Sequence, residues 1–425
     1  MTQGGGLLQL VAQGKQDVYL TGNPQVTWFK MVYRRYTNFS IESLAIPFDS
    51  QPDFGRRITV LIPRKGDLLG RLMLEIELPA IYDSITGRPI SYTNSVGHAL
   101  IQEVSIEIGE QEIDKQTGEW MELWSNLTVT EDKRQGWNNM IGKTTGASQG
   151  NAPSSSAMLY GPLYLYIPLR FWFCKNPGLA LPLLALQYHP IRLNITLRPL
   201  QQMYIREDPL ANPCDQTIKH ASITRIVMYG DYVHLDIDER RRFVANSHEY
   251  LIEQVQYTPS ISVDPKAITV QVPMEFNHPL REMFWMIQRD AAVNANQWFN
   301  YTNLSIGDVS PNGFQSLITT ALLRIEGYDR FDKRNADYFR LVQPFQFHTV
   351  IPIDDFIYSY SFALEPENVQ PSGSMNASRL DNITLQLELN PLIAPSRGTA
   401  NVRVYAMNHN IMRIVDGFGG LLFRI

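Results

Sequence analysis

Two stretches of this 425-residue chain carry residue types at spacings that chemistry could use. Residues 136–144, "GWNNMIGKT", approach a phosphate-binding loop, in which a glycine, four residues and Gly-Lys-Ser/Thr let backbone amides wrap phosphate oxygens. Five residues separate Gly136 from Gly142, no hydrophobic strand precedes them and no helical pattern follows, so the likeness is incidental. Residues 146–150, "GASQG", spell the G-x-S-x-G elbow that presents a serine where a buried strand turns into a helix. Ser148 lies instead in a run of small polar residues, which predicts no nucleophile. Lys143 and Ser148 are therefore expected to tolerate alanine, with stability changes within about 0.5 kcal/mol, as exposed sites do.

Metal and acid–base chemistry find no better footing. The eight histidines include no His-x-His pair on one strand, and Ile252 stands where His248–Glu249 would need a second histidine to form a zinc-binding helix. Glu75/Glu77 and Asp354/Asp355 read as solvated strand and turn positions rather than a glycosidase pair. No catalytic, cofactor-binding or metal-ligating residue is assigned. Residues 22–39, "GNPQVTWFKMVYRRYTNF", interleave aromatics with Lys30, Arg34 and Arg35, a combination that can stack nucleic-acid bases. A net charge of −5 supplies no global field for phosphate, so sequence-specific nucleic-acid binding is not expected.

The elements that would position any of these residues are strands. In "LMLEIEL" (72–78), Leu74, Ile76 and Leu78 point one way and Glu75 and Glu77 the other. Runs at 104–108, 192–197, 267–272, 382–389 and 401–406 alternate alike, with turn residues between them at 63–67, 108–112, 175–178 and 371–374. Half-buried antiparallel strands in β-sandwiches follow. One helix is predicted over 235–247, capped by Asp236, with Glu239 three residues on and i,i+4 pairs Asp236–Arg240 and Asp238–Arg242.

Two halves flank that helix and echo each other. "IEIGEQEIDK", "RLNITL" and "VMYGDYVHL" in the first match "LRIEGYDRFDK", "RLDNITLQL" and "VYAMNHNIMRI" in the second, in the same order. Residues 125–156 and 290–314 lack alternation and are rich in Gly, Asn and Ser, which predicts exposed loops. Cys174 and Cys214 make no disulfide framework. The N-terminus lacks the basic segment of a secretory signal, and Pro182 interrupts the longest apolar run (178–188), so no transmembrane segment is expected.

The chain also resembles a known family. "GGGLLQLVAQGKQDVYLTGNPQVTWFKMVYRRYTNFSIES" (4–43) is similar to the N-terminal signature of the major capsid proteins of large icosahedral eukaryotic DNA viruses, especially the algal phycodnaviruses and their relatives. The likeness continues through 106–120, 176–189, 248–256, 370–382 and 411–421. It implies an all-β fold of two consecutive eight-stranded antiparallel jelly-roll sandwiches with a short linker helix. The expected parts are an N-terminal arm over 1–25, a first jelly roll over 26–237, a linker helix over 238–247 and a second jelly roll over 248–425. On that frame residues 26–39 are the first strand with its exit. The resemblance further implies a non-enzymatic homotrimer, made in the host cell cytoplasm, that meets neighbouring capsomers and minor capsid proteins beneath the shell of the virion. Leu7, Leu8, Leu10 and Val11 are expected to serve such contacts from the arm. The alternative class is a jelly-roll carbohydrate-binding or carbohydrate-active protein.

Overall fold

The alternating runs of the sequence form strands because each has one face to bury, and the computed structural model shows where that face goes. It describes the chain except residues 1–4, 18–20, 25–35, 85–86, 88, 145–158, 206–217, 219, 305–314, 353–354, 391–397 and 424–425. The chain forms two compact units, Met1–Asn38 and Phe39–Ile425. In the first, a short helix, Gly5–Val11, leaves Leu8, Leu10 and Val11 exposed. The strand expected over 26–39 lies largely outside the described residues.

In the larger unit eight strands build a first sandwich: β1 (Phe39–Ile46), β2 (Arg57–Leu61), β3 (Leu68–Leu78), β4 (Ile101–Ile108), β5 (Gln111–Thr117), β6 (Leu163–Pro168), β7 (Ile191–Leu197) and β8 (Arg225–Leu235). One sheet runs β1-β8-β3-β6 and the other β2-β7-β4-β5, all pairs antiparallel. A second set follows: β9 (His248–Tyr257), β10 (Thr269–Met274), β11 (Pro279–Arg289), β12 (Ile318–Ile325), β13 (Tyr328–Asp329), β14 (Tyr358–Ser361), β15 (Ile383–Leu389) and β16 (Ala400–Val415). Its sheets run β9-β16-β11-β14 and β10-β15-β12-β13. Counted one to eight in each half, both sets give the orders 1-8-3-6 and 2-7-4-5, which is the jelly roll. The fold is a double jelly roll.

Each sandwich has its own core. Leu72, Leu74, Ile76 and Leu78 of β3 meet Val104, Ile106 and Ile108 of β4 across the first, all at most 1% exposed. Trp285, Ile287, Leu385, Leu387, Val402 and Val404 fill the second. Each such side chain contributes about 1.5–3 kcal/mol by leaving water. Glu75 and Glu77 sit on the outer face of β3, as the alternation requires.

Helices depart more from expectation. The linker helix α3 spans Ile237–Ala245, and Asp236 caps it by accepting the Ile237 N–H at 2.8 Å. Of the expected i,i+4 partners, Arg240 turns instead to Asp67 at 2.8 Å, where the same carboxylate accepts the Leu235 N–H. Residues 125–156 are not one loop. The helix α1 covers Gly118–Thr128 and α2 covers Glu131–Ile141, while 145–156 falls outside the described residues. α2 escapes a search for apolar stripes because only Asn138 and Ile141 are buried, but its cap Thr130, acidic first turn and left-handed Gly142 are readable stop and start signals. Nor is 290–304 an exposed loop: Phe299, Asn300, Tyr301 and Thr302 are buried. Their polar groups satisfy one another, with Asn300 Nδ2 donating to Gln297 Oε1 (2.6 Å) and to the Leu304 carbonyl (2.9 Å).

Candidate functional site: the seam between the sandwiches

The densest polar and aromatic chemistry of the larger unit lies where the sandwiches meet. α1 begins where the Thr117 hydroxyl accepts the Trp120 N–H at 3.1 Å, and every residue from Gly118 to Leu127 is buried. Trp120, Leu123, Trp124 and Leu127 recur at helical spacing and lie against Phe284, Met286, Tyr405 and Met407, which project from the outer face of the β9-β16-β11-β14 sheet. The Trp120 ring centroid is 5.6 Å from that of Phe284 and 5.9 Å from that of Tyr405, within aromatic contact. Close approach at the start of α1 needs glycine. A Cβ on Gly118 would fall well inside van der Waals contact with the carbonyl oxygens of His98 and Ile101.

Carboxylates of α1 bind in both directions. Glu119 reaches the second sandwich, accepting the hydroxyls of Tyr301 (2.9 Å) and Tyr405 (2.7 Å) and pairing with Arg403 (2.8 Å). Glu122 reaches the first, holding His98 Nδ1 at 2.6 Å and Lys143 Nζ at 2.9 Å. Burial opposes the Glu122 charge, but Lys143 and His98 outweigh it and hold the carboxyl at about 2.

Three further buried clusters cross or border the seam. Glu253 of β9 pairs with Lys175 of the first sandwich and, at 2.5 Å, with Arg281 of β11. Burial works against its charge too, yet these cations bring it down to about 2. Lys175 shifts the other way for its kind: burial outweighs Glu253 and lowers it. His348 stands between Glu282 (3.3 Å) and Glu367 (3.1 Å), edge-on to Trp124 of α1. Burial disfavours its imidazolium, but the two carboxylates raise it to about 9. Asp114 of β5, raised by burial to about 6, accepts the Val255 N–H of β9 at 3.0 Å. Beside it a groove of about 640 Å³ opens between residues 109–115 and Gln254, Val255, Gln256, His278 and Leu421.

The seam is a lock between the two sandwiches. Glu119, Glu122 and Glu253 are committed to structural cations or hydroxyls, and among the described residues no group of three or more His, Cys, Asp or Glu is placed to hold a metal ion. Ser148 and Asp354 lie outside the described residues. Lys143 does not fit the reading of an exposed loop residue: only 13% of its side chain is exposed, and it pairs with a carboxylate 2% exposed. Sequence reasoning missed the seam, although the spacing of Trp120, Leu123, Trp124 and Leu127 was a helical signal.

Tandem jelly rolls are the architecture of viral coat proteins of the double jelly-roll class. Residues 27–236 match the family described as the major capsid protein N-terminus, and residues 239–420 match the large eukaryotic DNA virus major capsid protein. The major capsid protein of Pyramimonas orientalis virus is 39% identical, with 99% of both chains covered, and that of Phaeocystis pouchetii virus is 37% identical, with 99% of both covered. The capsid protein in the PBCV-1 virus capsid superposes with a TM-score of 0.75 at 30% identity, covering 94% of this chain and all of that one. The Faustovirus major capsid protein shares the fold at a TM-score of 0.74 and 14% identity, covering 95% and 94%. The chain belongs to the major capsid proteins of large eukaryotic DNA viruses, structural components of the virion. The carbohydrate-binding alternative finds no support among these relatives.

Proposed function

We propose that the chain acts without catalysis or cofactor, as the subunit of a homotrimeric capsomer with a pseudo-hexagonal outline that tiles the icosahedral shell. The observation that carries this reading is the repeated strand order, 1-8-3-6 and 2-7-4-5, on two sandwiches fixed to each other by α1. Two near-equivalent bodies per chain give six per trimer, the outline a hexagonal lattice needs. The functional parts are an arm over 1–25, jelly rolls over 26–237 and 248–425, and a linker helix over 238–247. Synthesis takes place in the host cell cytoplasm. The exposed Leu8, Leu10 and Val11 of the arm bind neighbouring capsomers or minor capsid proteins beneath the shell. Electron microscopy of the purified protein tests the capsomer: particles roughly 70–80 Å across with pseudo-sixfold outline are expected from two small sandwiches per chain. Monodisperse monomers at micromolar concentration would overturn it.

A further inference from the structure

α1 carries more than its aromatic stripe. Glu122 and Asn126 lie one helical turn apart on it, and both reach the same cation. Lys143 Nζ donates to Glu122 Oε1 at 2.9 Å and to Asn126 Oδ1 at 3.0 Å. All three groups are withdrawn from water, with Asn126 3% exposed and the Lys143 side chain 13%. The backbone on either side holds the lysine there. Gly142 ends α2 in the left-handed region and turns the chain back, so that the Lys143 N–H donates to the Asn138 carbonyl at 2.8 Å. The next N–H, of Thr144, donates to Asn94 Oδ1 at 2.9 Å. On the other side of the carboxylate, Glu122 Oε2 holds His98 Nδ1 at 2.6 Å. An amine, a primary amide and a carboxylate thus meet in one largely dry site.

We propose that Lys143 and Asn126 join in an intramolecular isopeptide bond, with Glu122 as the proton relay. The Lys143 ammonium first gives a proton to solvent, and the neutral Nζ then attacks Cγ of Asn126. The Nζ–Cγ bond forms and the Cγ–Nδ2 bond breaks, while Glu122 takes a proton from Nζ and passes it to Nδ2, which leaves as ammonia. The step needs no oxidant or cofactor and happens once per chain, so it is a self-modification and not a turnover. The ion pair of the fresh chain is its slow precursor. Burial disfavours the Lys143 ammonium, but Asp355 and Glu122 raise it above the ordinary lysine value against the opposing charge of Arg134. Attack needs the neutral amine, so the bond forms faster as pH rises. The product ties α1, the helix that keys the two sandwiches, covalently to the end of α2.

Intact-mass spectrometry of the full chain, freshly purified and then held at pH 7 or pH 9, tests the proposal. A loss of about 17 Da, one ammonia, should accumulate at least tenfold faster at pH 9. Trypsin should then fail to cut after Lys143 and should release a branched peptide joining it to Asn126. An unchanged mass after a week at pH 9 overturns the inference. The same mass loss with linear peptides alone also overturns it, since that marks a succinimide at Asn126. Lys143→Arg keeps a cation for Glu122 but has no attacking amine, and should hold its full mass; a loss there would place the reaction elsewhere. Glu122→Gln, shown folded by circular dichroism, keeps the amine and the amide and should link at least tenfold more slowly. Linkage at the wild-type rate refutes the relay.

Discussion

Replacing Glu253 with glutamine removes the negative centre of a seam cluster while preserving its shape, and leaves two cations behind. Arg281 is 1% exposed and Lys175 is lodged 4.7 Å from the Trp124 ring centroid. A depression of the Glu253 carboxyl from 4.5 to about 2 corresponds to roughly 3 kcal/mol of stability. Breaking a buried pair from one side costs about 3–5 kcal/mol in general, so the two routes agree. The shift on Lys175 tells a different story: its ammonium is lowered, so its own burial costs more than Glu253 returns. Lys175→Met should therefore cost less than Glu253→Gln, since Arg281 keeps its partner. The pH dependence follows in sign. A carboxyl lowered on folding contributes fully above its unfolded value near 4.5, and the contribution is lost as pH falls toward 2. Urea unfolding followed by tryptophan emission should show Glu253→Gln about 3–5 kcal/mol below wild type at pH 7, with the gap narrowing at pH 3. A gap under 1 kcal/mol at pH 7, or one unchanged at pH 3, would refute the account of this cluster.

Other substitutions probe the rest of the lock. Lys143→Ala takes the ammonium from the buried Glu122, which keeps His98 and Ser95, and should lower stability by about 3 kcal/mol in the same assay, not by the half kilocalorie of an exposed residue. Gly118→Ala must push backbone apart at His98 and Ile101 and should cost at least the roughly 1–3 kcal/mol of overpacking, read as a lower melting temperature. His348→Asn loses an imidazolium raised from 6.5 to about 9, worth about 3 kcal/mol. That stabilisation is complete below pH 6.5 and lost as pH rises through 9, so the deficit of the variant in urea midpoint should be large at pH 6 and shrink at pH 10. Deleting residues 1–22 should leave trimers intact by light scattering while particle assembly fails.

The sandwiches were legible and the seam was not, for a physical reason. Alternation is local: Leu74, Ile76 and Leu78 declare their common face within seven residues, and the structure buries all three. The echo of three blocks across the linker helix made the duplication visible as well. The seam is built from pairs distant along the chain, such as Lys175 with Glu253 and Glu119 with Tyr405, and one sequence carries no trace of such pairings. Composition misled in two places. α2 reads as a loop because its surface is almost wholly polar, and 290–304 reads as exposed because buried asparagines look like solvated ones until their hydrogen bonds are counted.

The seam contributes orientation as well as stability. The aromatic contact of Trp120 and Trp124 with Phe284 and Tyr405 is apolar burial, which is strong but weakly directional. Glu253 and His348 add charges whose partners outweigh the cost of burying them. Glu119 with Tyr405 and Arg403, and Lys175 with Glu253, pair across the seam in one relative placement of the sandwiches, and sliding one sheet past the other would leave a buried charge unpaired. A shell subunit needs that selectivity, because an error of angle between its two halves would be repeated at every capsomer.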